Sequence, residues 1–514
     1  MKETKPAIIC VPVCVERARD LAEALTRAAS VGEVVELRLD CLPGAELDLA
    51  LRDLHGLLRN FSSPLIMTLR PIEQGGWREI DKLNRVSFWL NHFGYNDEFA
   101  GFADIELDLA LLLMNGAPLD WSRVICSHHD FAGALAADLE NIYARMTNTP
   151  SRILKIAVQA HEITDCLMIF HLLERARREG REMVAIAMGE AGIMTRILGP
   201  SRGAFLTYGA LDAESATAPG QLTAHDLRDL YRVHKLDERT EIMGLMGSPV
   251  AHSVSPHMHN AAFEASGLNA VYIPFEVRDA KAFLQRMAHP RSRELLWNLR
   301  GLSITAPHKS AALLHLDWIE PSAQEIGAVN TIVVKGDELH GYNTDATALI
   351  APLLNIIGTL RDRRFAIIGA GGAARAALWS LRREGANATL FARNVERARP
   401  LAEDFDASFE PLDAAASFDG FDVVINATPL GTHGPQQDQT PARASQLRGA
   451  RIIYDLVYNP LETRFLREAR EAGCEIIGGL EMLVAQAATQ FHLWTGKPAP
   501  VKVMREAARH ALKE

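Results

Sequence analysis

Eight short apolar, β-rich runs recur through the first 235 residues: Ala7–Val15, Glu33–Leu39, Leu65–Leu69, Gly101–Leu107, Arg123–His128, Ile153–Val158, Met183–Met188 and Phe205–Tyr208. Helix-like stretches such as Arg17–Ser30 and Thr164–Glu179 separate most of them. Near-continuous apolar strands alternating with helices predict a parallel sheet covered on its outer face. Eight βα units in so short a span fit a TIM (β/α)8 barrel. A doubly wound open sheet is the alternative.

The texture changes at the charged segment Lys235–Thr240. We divide the chain into a barrel over 1–237, a smaller αβ block over 238–341 and a dinucleotide-type block over 342–477. The tail over 478–514 reads as two helices, Met482–Trp494 and Pro498–Leu512. With 514 residues and 48% apolar content, each block can bury its own core. The net charge of −10 and the lack of a long basic run disfavour a nucleic-acid partner. Anionic substrates must then be caught by local arginines. The N-terminus lacks a signal-peptide core, and no apolar stretch is long enough to span a membrane. The six cysteines form no CxxC pair and no metal-spaced cluster. They read as small buried hydrophobes of a reducing cytoplasm, and no metal is expected. Oligomeric state stays open.

In a TIM barrel, chemistry gathers where strands end. Polar residues there are Glu36 and Arg38, Arg70, the run His128-His129-Asp130, Lys155 and Arg196, with a polar segment from Thr217 to Gln221. Lys155 stands out, because lysine is rarely buried without a partner. Desolvation and nearby arginines would expose a nucleophilic amine. The plainer alternative is a lysine snorkelling at a strand end. Strand alternation puts His128 and His129 on opposite faces and leaves the choice between them open.

Several segments together resemble type I 3-dehydroquinate dehydratase. They are Val35-Glu36-Leu37-Arg38, Thr68-Leu69-Arg70 with Gly75-Gly76, Ser127-His128-His129-Asp130-Phe131, Leu154-Lys155-Ile156-Ala157, Met188-Gly189 with Arg196, and Ala218-Pro219-Gly220-Gln221. The resemblance covers nearly all of residues 1–235. It implies a Schiff base between Lys155 and the ketone of 3-dehydroquinate, with His129 as the proton-transfer group. It places Arg196, Thr217 and Gln221 at the substrate carboxylate. Glu36, Arg38 and Arg70 fall at positions that bind hydroxyls and balance charge. One position departs: Gln74 stands where the family usually has a glutamate that orients the histidine. Glutamine can hold a histidine but cannot stabilise its charged form.

Farther along, Phe365–Ala374 reads as a strand, a G-x-G-x-x-A turn and a helix start. Such glycines let backbone approach a pyrophosphate at a helix N-terminus. The next strand, Ala388–Ala392, ends in Arg393-Asn394 with Arg397 one turn on. Arginine here suits a 2′-phosphate, so NADP is expected over NAD.

The surrounding motifs are His252-Ser253-Val254-Ser255-Pro256, Ile304–Lys309, Gly327–Thr331, Asn343-Thr344-Asp345, Asn426–Pro429, Asp455–Tyr458 and Gly479 through Gln486. Over about 241–512 they resemble shikimate dehydrogenase. The resemblance assigns Ser253 and Ser255 to the substrate carboxylate. Thr305, Asn330 and Gln486, with Tyr458 nearby, fall to ring hydroxyls, and Lys309 and Asp345 form the catalytic pair. Gly369, Gly371, Gly372, Ala373, Arg393, Asn394, Arg397, Thr428 and Gly479 hold NADP. The tail matches a segment that packs back on the substrate domain.

The domain order is similar to the fused plant-type enzyme, in which the first product is the second substrate. A regulatory sensor of similar domains could lose its nucleophile and still bind ligand. Lys155, His129, Lys309 and Asp345 are all present, which favours the enzyme. Quinate is the alternative polyol for the second half; the paired serines favour shikimate.

Overall fold

The computed structural model describes the backbone of residues 6–58, 61–94, 101–133 and 136–513. By internal contacts the chain forms two compact units. One comprises Met1–Thr240, Ile273–Met287 and Glu294–Asn298; the other comprises Glu241–Tyr272, Ala288–Arg293 and Leu299–Glu514.

The first unit is built on strands β1 (Ile9–Val13), β2 (Val34–Arg38), β3 (Leu65–Thr68), β4 (Phe102–Glu106), β5 (Val124–Asp130), β6 (Ile153–Gln159), β7 (Glu182–Met188) and β8 (Thr207–Tyr208). Their order is β7-β6-β5-β4-β3-β2-β1-β8. β8 pairs in parallel with β1. The remaining seam is closed by a bridge between Met183 and Ala204 and by Phe205 N donating to Met183 O at 2.7 Å. This is a barrel, not the open sheet. The last strand is shorter than the apolar run around it, since only two of its residues pair with β1.

The cysteine reading needs one correction. Cys14 and Cys41, 27 residues apart, form a disulfide. They follow β1 and β2, which pair side by side and bring their exits together. Composition gives no hint of this, because the pairing depends on strand order. Cys10, Cys126, Cys166 and Cys474 are free.

The second unit carries strands of two sheets. One contains β9 (Glu241–Gly247), β10 (Ala270–Glu276), β11 (Leu299–Ile304), β12 (Trp318–Ile319), β13 (Thr331–Lys335) and β14 (Glu338–Tyr342), ordered β10-β9-β11-β13-β14-β12. The other contains β15 (Arg364–Ile368), β16 (Asn387–Ala392), β17 (Ser408–Pro411), β18 (Val423–Asn426), β19 (Ile452–Asp455) and β20 (Glu475–Ile477), ordered β17-β16-β15-β18-β19-β20. Its pairs are all parallel. That 3-2-1-4-5-6 order is the dinucleotide-binding one, with its crevice between β15 and β18.

The tail forms helices Leu480–Thr495 and Val501–Ala511. Val484, Phe491, Trp494, Met504 and Ala508 pack into one core with Met243, Met258 and Phe263. Gln490 is buried and donates to Thr331 Oγ1 at 3.0 Å while accepting from Ser303 Oγ at 2.9 Å. The tail is thereby fastened to β11 and β13. Among the described residues no helix is long and apolar enough to cross a membrane.

Candidate active sites

Polar side chains from six barrel strands converge on Lys155, at mid-β6 beside Ser127 and Val184. Lys155 Nζ donates to Asp104 Oδ2 at 2.8 Å, Tyr208 Oη at 2.9 Å and Glu36 Oε1 at 3.4 Å. The lysine is buried, as expected, but it is fully partnered. Arg70 bridges Asp104 at 2.8 Å and Glu106 at 2.9 Å, and also reaches Ser127 Oγ at 2.8 Å. Arg85 takes the other Glu106 oxygen at 3.0 Å. Thus Lys155, Arg70 and Arg85 face Glu36, Asp104 and Glu106, and buried charge balances.

Burial alone would push the Asp104 carboxyl up; Arg70 and Lys155 outweigh it and hold the group well below its usual range. Glu106 goes the other way, pushed up to about 7 by burial despite Arg70. Arg38 is paired separately, with both Asp40 oxygens at 2.9 and 2.7 Å.

Arg196 is the exception. It lies on the short helix Ile193–Leu198, is buried, and donates to Pro219 O at 3.3 Å. Its Nε has no hydrogen-bond partner among the described residues, and burial lowers its pKa to about 10. A buried guanidinium without an acid is suited to a ligand's carboxylate. Thr217 and Gln221 sit at the same pocket, with Thr217 N donating to Gln221 Oε1 at 2.8 Å. Gly220 has φ +65°, and a Cβ there would meet Gly189 O at 2.2 Å. Only glycine lets the Pro219-Gly220 turn close on the Met188-Gly189 loop.

His129 lines this pocket and His128 does not. Burial, then the charges of Arg70 and Lys155, hold the His129 imidazole well below its ordinary range. It is neutral at pH 7 and free to take a proton. Gln74 does not touch the ring. Its Oε1 accepts from His129 backbone N at 3.2 Å, and the ring Nδ1 is buried without a partner among the described residues. The glutamine therefore fixes the strand end, not the imidazole.

The second site is a cavity of about 830 Å³ lined by Ser253, Ser255, Thr305, Lys309, Asn330, Asp345, Ala373, Thr428, Tyr458, Gly479 and Gln486. Lys309 Nζ donates to Asp345 Oδ2 at 2.6 Å. Asn330 Nδ2 donates to Asp345 Oδ1 at 2.8 Å, so both carboxylate oxygens are held. Ser253 Oγ accepts from Ser255 N at 3.2 Å. Burial pushes the Tyr458 phenol up, offset in part by its hydrogen bond to Ser253.

The glycine turn after β15 fits a dinucleotide. Gly369 has φ +119°, and a Cβ there would meet Ala427 O at 2.8 Å. The helix Gly372–Arg383 starts against the Lys309 stem, 3.5 Å from where a Gly372 Cβ would sit. The turn and helix N-terminus can seat the pyrophosphate. Arg393 and Asn394 are exposed just past β16, where Arg393 can reach a 2′-phosphate. The side chain of Arg397 lies outside the described residues.

Family models match in the same order as these sites. Type I 3-dehydroquinase matches residues 9–238, the shikimate dehydrogenase substrate binding domain 245–332, shikimate/quinate 5-dehydrogenase 353–456, and the shikimate 5′-dehydrogenase C-terminal domain 479–509. A chloroplastic bifunctional 3-dehydroquinate dehydratase/shikimate dehydrogenase of Arabidopsis thaliana is 34% identical, over 96% of this chain and 83% of its own length. The chain belongs to this bifunctional family. A shikimate dehydrogenase (NADP(+)) of Moorella thermoacetica is 41% identical over 53% of the bifunctional chain and 94% of its own. A crystal structure of a shikimate dehydrogenase in complex with NADP+ matches 54% of the chain and 98% of its own, at 37% identity and a TM-score of 0.50.

Three residues of the bifunctional chain's barrel site escaped the sequence: Asp104, Glu106 and Tyr208. For the acids a signal existed. Two carboxylates at period two inside the apolar strand Phe102–Glu106 must both face the barrel interior. For Tyr208 there was none, since tyrosine is an ordinary strand residue.

Proposed function

We propose that the barrel, residues 1–237, dehydrates 3-dehydroquinate to 3-dehydroshikimate, and that the rest reduces this product to shikimate with NADPH. Within the second half, residues 238–341 with 478–514 bind substrate and 342–477 bind the cofactor. The observation that carries the reading is one pocket holding a buried lysine, a neutral histidine and an arginine without an acid. Arg196, with Thr217 and Gln221, takes the carboxylate, and Glu36, Arg38 and Arg70 order the hydroxyl side. Neutral Lys155 attacks the ketone; the carbinolamine loses water to give the imine. The imine draws electrons from the neighbouring C–H bond, and His129 removes that proton. Loss of the hydroxyl as a second water forms the double bond. Hydrolysis of the imine consumes one water and returns Lys155, so the net loss is one water.

In the second site Ser253 and Ser255 hold the carboxylate, while Thr305, Asn330, Tyr458 and Gln486 hold the ring. NADPH, when bound, supplies the hydride to the ketone. Lys309, aimed by Asp345, donates the proton to the oxygen on which charge develops. The cavity lining around the Lys309–Asp345 pair supports this assignment. We place the chain in the cytoplasm on its buried free thiols; the Cys14–Cys41 link is the feature that a reducing compartment would open.

The test is borohydride treatment of the full chain with 3-dehydroquinate, without NADPH, followed by peptide mass spectrometry. A reduced adduct on the Lys155 peptide is the expected result. Its absence, in protein that still oxidises shikimate with NADP, would leave the barrel as a binding domain.

A further inference from the structure

Tyr208 belongs to none of the roles above, yet its hydroxyl lies 2.9 Å from Lys155 Nζ. The ammonium also sits 4.3 Å from the centre of the Tyr208 ring. The tyrosine is buried on β8, beside Cys10 on β1, whose thiol hydrogen-bonds it. Six strands face the amine here. They contribute Cys10 from β1, Glu36 from β2, Asp104 from β4 and Tyr208 from β8, while Arg70, just past β3, and His129 on β5 stand behind the acids.

An ammonium has three protons, and three acceptors surround this one: Asp104, Glu36 and Tyr208. The nucleophilic amine has two protons and a lone pair. The ionised acids can only accept, so neither can hand a proton on to the ketone oxygen as that lone pair attacks. A phenol can, because its oxygen accepts from the nitrogen while its O–H donates to another atom. Burial, and then Glu36, keep the Tyr208 phenol protonated well above its ordinary range.

We infer that Tyr208 is a catalytic residue of the dehydratase: as the neutral Lys155 lone pair attacks the ketone, the nitrogen passes a proton to Tyr208 Oη and the phenol passes its own to the ketone oxygen, so the carbinolamine forms neutral and the phenol is left unchanged. The inference rests on the Schiff-base reading of Lys155. The hydroxyl touches the reacting nitrogen and none of the groups assigned to the substrate carboxylate. Its loss should slow chemistry and spare binding.

Tyr208→Phe keeps the ring and removes one oxygen. Dehydration is followed in the full chain without NADPH by the absorbance of the conjugated product. The expected result is a fall in kcat of at least about 100-fold, the lower end for one lost general acid–base contact, with KM for 3-dehydroquinate within twofold. Borohydride trapping on Lys155 should slow by the same factor. Wild-type kcat and an unchanged trapping rate would overturn the inference. So would a variant that loses cooperative barrel unfolding or loses KM and kcat together, since the hydroxyl would then be structural. If the wild-type chain itself gives no Lys155 adduct, the Schiff-base reading has failed, not the role of Tyr208 within it.

Discussion

Asp455 ends β19 directly before the cleft residues Leu456, Val457 and Tyr458. It is fully buried, and its oxygens accept from Asn426 Nδ2 at 2.9 Å, Val457 N at 3.0 Å and Thr463 Oγ1 at 2.5 Å. Burial outweighs these bonds and pushes its pKa from 3.8 to about 6. The folded chain therefore keeps this proton between roughly pH 3.8 and 6, where the unfolded chain has lost it. Stability falls as pH rises through that window and stays lowered above it. The difference of about 2.2 pH units corresponds to a penalty of about 3 kcal/mol at pH 7.5 and about 1.6 kcal/mol at pH 5. Asp455→Asn removes the charge. Its Oδ1 can still accept from Asn426 and Val457, and its Nδ2 can donate to Thr463 Oγ1. The variant should be more stable than wild type by up to about 3 kcal/mol at pH 7.5, and by about half that at pH 5. Pulse proteolysis in urea, read on peptides of residues 342–477, measures this region apart from the barrel. An equal gain at both pH values, or a loss at pH 7.5, would refute the reasoning.

Three further outcomes are expected. Arg393→Ser should lower kcat/KM for NADPH by about 10- to 100-fold, the scale of one bidentate phosphate contact; steady-state kinetics should show NADH little affected. Gln74→Glu places a carboxylate near His129 and stabilises the imidazolium, so the acid limb of the dehydratase pH–rate profile should move to higher pH. Reducing Cys14–Cys41 should cost the barrel about 3–4 kcal/mol, from the loop entropy of the 27-residue separation; urea midpoints with and without a dithiol check this. Cys41 adjoins Asp40, whose carboxylate holds Arg38 and the backbone N of Arg70 and Trp77. Reduction should therefore also raise KM for 3-dehydroquinate.

What the sequence showed and what it hid divide along a physical line. Strand periodicity and the spacing of glycines are local, so the barrel runs, the turn at Gly369 and the tail helices could be read directly. The motif residues could be read as sets, since they fall in short contiguous segments that recur in a fixed order along the chain. Partnership across the barrel is not local. Lys155 and Tyr208 are 53 residues apart, and Lys155 and Asp104 are 51 apart. Only closure of the sheet puts β4, β6 and β8 around one nitrogen. The same closure corrects the reading of Lys155 as a lysine defined by the lack of water around it. Its charge is matched by two acids and a phenol, so reactivity cannot come from desolvation alone. The attacking nitrogen gains charge and must shed a proton while Asp104 stays ionised, and among its three partners the one that can accept that proton and release another is Tyr208. Had β8 carried a plain apolar ring there, the same motifs would stand in the sequence, but Lys155 would keep no partner able to relay a proton from its nitrogen to the ketone oxygen.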